Sequence, residues 1–96
     1  MKPQIFTEYY GAHRLRYIVL PNQDLLINAK DVRAVLDLDR SVSSILARPC
    51  VDLTGAVWLA SEREEDFSEW LIKTFSCYRV TARTMPQCDD DWTNFE

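Results

Sequence analysis

Hydrophobic positions change character near residue 28 of this chain. Before it lie short apolar, β-branched and aromatic runs; after it, apolar positions recur at helical spacing. Gln4–Glu8 reads as a first short strand carrying Ile5 and Phe6. Gly11 supplies a turn before Leu15–Val19, whose Tyr17, Ile18 and Val19 suit a second strand. A polar turn at Pro21-Asn22-Gln23-Asp24 leads into a third strand, Leu25–Ile27. Together these predict a small antiparallel sheet with one face to cover.

The helical half opens at Asn28, whose side chain suits an N-cap, and Asp31 at the third helical position favours the positive end of the helix dipole. Ala29, Val32, Val35 and Leu36 form one apolar stripe, and the helix is expected to stop near Asp37–Asp39. A second short helix is expected from about Ser41, with Val42, Ile45 and Leu46 on one side and Pro49 marking its end. Asp52 or Thr54 can cap a third, burying Val57 with Leu53 or Ala60. Ser61–Glu64 has the spacing of a capping box and would open a fourth, with Phe67, Trp70, Leu71 and Phe75 on its apolar face. Glu62, Glu65, Asp66 and Glu69 lie on its other face. Tyr78–Ala82 suits an edge strand, and Pro86–Glu96 has no period and reads as a mobile tail. The expected fold is α+β: a small antiparallel sheet packed against three to four short helices. Residues 1–78 make one domain, and residues 79–96 an edge segment and acidic tail. Trp58, Phe67, Trp70 and Leu71 are expected in the core or at an interface.

Composition narrows the picture. Ninety-six residues with 47% hydrophobic content support one domain with a modest core. A chain of this size buries roughly 60–65% of its unfolded surface, so a homodimer would be a natural supplement. No apolar run approaches the roughly 20 residues needed to cross a bilayer. Met1-Lys2-Pro3-Gln4 has no secretory h-region. Cys50, Cys77 and Cys88 are odd in number and lack metal-type spacing, which suits reduced thiols in a cytoplasmic protein. The net charge of −4 is uneven: residues 1–48 carry seven Lys/Arg against five Asp/Glu, and residues 49–75 carry two against six. That balance excludes a uniformly basic nucleic-acid footprint and leaves room for a local basic face in the first half.

Three segments share a pattern with a known family. They are Gln4-Ile5-Phe6, then His13-Arg14-Leu15-Arg16, then Leu25-Leu26-Ile27-Asn28-Ala29-Lys30-Asp31-Val32 with Leu36. This arrangement resembles the opening of the Bro-N domain of phage antirepressors. Leu53, Leu59-Ala60-Ser61, Phe67 and Trp70 are similar to the later helices of that domain, so the resemblance spans roughly residues 4 to 75. It implies an α+β domain of phage or prophage transcription regulation that binds DNA or a repressor. Asp37 stands where the family commonly has Gly, and the basic residues that often follow the Trp helix are reduced to Lys73.

Candidate chemistry is sparse. Residues 31–48 also have the outline of a helix-turn-helix, in which Arg40, Ser41, Ser43, Ser44 and Arg48 would reach phosphates or base edges. Asp37 and Asp39 in its turn would face phosphate. Asp89, Asp90 and Asp91 beside Trp92 and Phe95 would let the tail dock onto a basic, apolar groove of a partner. His13 has no suggestively spaced carboxylate or thiol, and Cys50 and Cys77 read as buried small hydrophobes. Consecutive helix carboxylates such as Glu64 and Glu65 diverge, and two glycines cannot build a phosphate loop. The sequence therefore points to a non-enzymatic protein with no cofactor and no metal. Its expected act is to bind another protein such as a repressor, and the alternative is sequence-specific DNA binding through residues 31–48.

Overall fold

The computed structural model describes residues 4–21, 23–38, 48–78 and 92. Strands β1 (Ile5–Tyr10) and β2 (His13–Val19) form a hairpin in register Phe6 to Tyr17 and Tyr10 to His13. Gly11 turns it at φ 60, a conformation not shared by Ala12, which is the pattern of a two-residue II′ turn. Strand β3 (Leu25–Asn28) pairs antiparallel with β2, and a short strand β4 (Cys50–Asp52) pairs antiparallel with β3. The sheet order is therefore β1-β2-β3-β4. Among the described residues there are three helices, α1 (Ala29–Leu36) between β3 and β4, then α2 (Leu53–Arg63) and α3 (Glu65–Thr74) after β4. This is the α+β arrangement expected from the sequence.

Alternation along the strands sends side chains to two faces. Leu15 and Tyr17 of β2, Leu25 and Ile27 of β3 and Val51 of β4 face the helices. There they meet Val32 and Leu36 of α1, Leu53 and Leu59 of α2, and Phe67, Leu71 and Phe75. Burial of each such side chain contributes about 1.5–3 kcal/mol, so this layer dominates the favourable energy of the fold. The opposite face is apolar as well. Ile18, Leu26 and Cys50 form a second cluster with Trp92, flanked by Ile5 and Leu20. The sheet thus covers two faces where the sequence pattern suggested one.

Local chemistry explains the boundaries. Asn28 accepts the Asp31 N–H at 3.1 Å, the N-cap the sequence anticipates. Asp37 ends α1 in the left-handed region at φ 54, and the Leu38 N–H reaches the Arg33 carbonyl at 2.9 Å, a Schellman-type bond. Asp52 caps α2 by accepting the Gly55 N–H at 2.9 Å. The Ser61 capping box does not form. Ser61 lies inside α2 and its hydroxyl donates to the Trp58 carbonyl at 2.8 Å. That back-bond removes the side chain from capping duty. The chain turns instead at Glu64 (φ −141, ψ 84), and α3 starts without a side-chain cap. Strand β4 is a further departure. The helix expected from Ser41 falls on residues 41–47, outside the described residues, as do residues 79–82 of the expected edge strand.

Candidate functional site

Helices α2 and α3 form a hairpin joined by the single residue Glu64. Each has one side committed to the core: Leu53, Ala56, Leu59 and Ala60 on α2, Phe67, Ser68 and Leu71 on α3. Beneath α3 lies an aromatic cluster. Tyr10 meets Phe67 at 4.9 Å and Trp70 at 5.4 Å between ring centroids, and Tyr17 meets Phe75 at 5.0 Å. Such pairs each add about 0.5–1.5 kcal/mol beyond area burial, and they fix the position of α3 on the sheet. Packing against these rings pushes the Tyr10 hydroxyl above its ordinary value of 10.0, and the Glu64 and Asp66 carboxylates add to it. Burial likewise raises Tyr17, with a smaller contribution from Tyr78.

The outer side of the hairpin is different. Leu53, Thr54, Val57, Trp58 and Ser61 of α2 face Ile72 of α3 and Ser76 across an open groove of about 600 Å³. Trp58 is 56% exposed and Ile72 51%, unusual for side chains of this size. The Trp58 ring thus has an open face beside an apolar trough. Beyond the lining, toward the Glu64 link, the two helices carry exposed acid. Glu62 lies one turn beyond Trp58, while Glu69 and Glu65 continue the Ile72 row back along α3 at helical spacing; all three are exposed. Glu64 and Asp66 belong to the Tyr10 side. Neither His13 nor any carboxylate lines the groove. His13 is exposed at the start of β2.

A second polar feature lies at the β2–α1 junction. Arg16 donates to Asp31 through Nε at 3.0 Å and Nη2 at 3.1 Å, and its backbone N–H reaches the same carboxylate at 2.9 Å. Both side chains are nearly buried, at 10% and 8% exposure. The carboxylate extends the β2 ladder just past its last β3 partner pair, so this bidentate pair locks helix to sheet. It is a joint, not an opening for a ligand.

Of the residues singled out for DNA contact, Arg48 is exposed just before β4, and Arg40, Ser41, Ser43 and Ser44 lie outside the described residues. In the tail, Asp89, Asp90, Asp91 and Phe95 also lie outside them. Trp92 is fully buried on the second face of the sheet, its Nε1 donating to the Pro49 carbonyl at 3.1 Å. Its ring is therefore engaged by this chain's own sheet. Cys50 is buried as expected, but Cys77 is exposed, in the turn that follows the end of α3 between the core-packed Phe75 and Tyr78. Among the described residues no group of three His, Cys, Asp or Glu is placed to hold a metal ion. No described helix is long and apolar enough to cross a membrane. Sequence reasoning placed Trp58 in the core or an interface without locating the groove. Its one available signal was a Trp beside Val57 in a segment whose buried set already recurs at Leu53, Ala56 and Ala60. Compared with protein-family models, curated proteins and solved structures, the chain matches none.

Proposed function

We propose that this chain is a non-enzymatic regulatory protein that acts by binding another protein, in the antirepressor-like manner implied by its resemblance to Bro-N domains. The observation that carries the reading is the α2–α3 groove, with Trp58 and Ile72 exposed on an apolar floor. Large aromatic side chains at the centre of apolar patches supply most of the energy in protein–protein contacts. Charge supports a protein target over a nucleic acid. Phosphate binding needs clustered Lys/Arg, and the α2–α3 hairpin, residues 53–74, carries two against five acids.

The test is capture of tagged protein from a lysate of its native cell, run with and without nuclease and repeated with Trp58→Ala. Trp58 is exposed, so its removal leaves the fold intact, which circular dichroism checks. The reading expects a discrete protein that survives nuclease and is lost with Trp58→Ala. Retention that disappears with nuclease would move the function to DNA and to the segment 31–48.

A further inference from the structure

The groove and its rim have a direction. The groove's middle is apolar, from Leu53, Val57 and Trp58 across to Ile72. On the rim beyond this lining, toward the Glu64 link, the exposed Glu62, Glu65 and Glu69 follow at helical spacing, without an ion pair among the described residues. The other end, between Thr54 and Ser76, is polar and uncharged. On α2 the lining runs from Leu53 to Ser61, which makes the trough about 12 Å long, or a little over two turns of a helix laid beside it. The α2–α3 hairpin supplies the two walls of such a seat.

We propose that the groove binds a basic amphipathic helix from a partner protein, a specification that rests on the protein-binding function above. Apolar residues at i, i+3, i+4 and i+7 of that helix sit between Trp58 and Ile72, while Lys or Arg at one end meets Glu62, Glu65 and Glu69. Apolar anchors read at this spacing are the mark of helix-in-groove recognition. The acidic rim selects basic over acidic helices, because a like charge placed there stays unpaired. It also opposes a second copy of this chain, whose own hairpin carries the same excess of acid.

The test uses two fluorescently labelled peptides of about 15 residues, a length that approaches stable helicity. Both have Leu at i, i+3, i+4 and i+7; one carries Lys at the remaining charged positions and the other Glu. Anisotropy titrations against the whole chain are expected to show saturable binding of the Lys peptide, at least about tenfold tighter than the Glu peptide. Binding is lost with Trp58→Ala, and the preference for Lys is lost with combined Glu62→Gln, Glu65→Gln and Glu69→Gln, which leaves the apolar floor in place. Equal affinity for the two peptides, or no binding of either, overturns the proposal. So does a dimer by sedimentation that dissociates in Trp58→Ala and excludes the peptides. Failure here beside successful Trp58-dependent capture from lysate removes only the basic-helix occupant; failure of both removes the protein-binding function as well.

Discussion

Asp31 performs two tasks with one carboxylate and one amide. Its N–H completes the Asn28 cap, and its carboxylate receives both the side chain and the backbone of Arg16. The cap was legible in the sequence, since Asn followed by an acid three residues later is a local pattern. The ion pair was not, because Arg16 lies fifteen residues away and only the sheet brings it near. Removing one partner strands a buried charge, so Asp31→Ala is expected to cost about 3–5 kcal/mol in urea denaturation. Arg16→Met combined with Asp31→Leu is expected to cost less than Asp31→Ala alone, since no charge is then left without its mate. A double variant as unstable as the single one would show that shape, not charge, holds the joint.

At the scale of elements, helix ends decide where reading the chain succeeded. Asn28 and Asp52 work as caps because each accepts from an N–H three residues on. Ser61 fits the same rule on paper, yet the backbone stays helical through it and spends its hydroxyl on the Trp58 carbonyl. Local pattern cannot tell a Ser that opens a helix from one that sits inside another. Strand β4 is too short to carry a period; it exists because β3 offers it an edge. Asp37 holds the left-handed position that favours glycine, at φ 54. Asp37→Gly is therefore expected to raise stability by roughly 0.5 kcal/mol, and Asn28→Ala to lower it by about 1 kcal/mol. Shifts of the urea midpoint in opposite directions would bear this out. A destabilised Asp37→Gly would mean that the carboxylate, not the backbone, matters there.

For the whole molecule, the sheet is the dividing layer. One face meets the helices, and this much followed from hydrophobic spacing. The other is closed by Trp92, a residue that the sequence assigned to a tail because nothing around it has a period. Only the three-dimensional sheet shows that Ile18, Leu26 and Cys50 leave a surface for an indole. Trp92 takes φ 60 there, a conformation uncommon for a side chain of its bulk and sustained by its burial. Trp92→Ala is expected to cost about 3–5 kcal/mol, a large part of the roughly 5–15 kcal/mol that holds an ordinary domain together. An unchanged thermal midpoint would show that the second face is stable without it. The α2–α3 groove is the other whole-molecule property, formed where two helices that each look ordinary turn side chains toward one another.

The most direct test of the central claim is an amide and indole NMR titration of the chain with the protein captured through Trp58, followed by a separate titration with duplex DNA. The protein-binding account predicts that the partner shifts the Trp58 indole together with the amides of Val57, Ser61 and Ile72, leaving the Trp92 indole in place, and that DNA shifts none of them. Saturable shifts on adding DNA, centred on Arg48 and the segment before it with the groove unmoved, would contradict it.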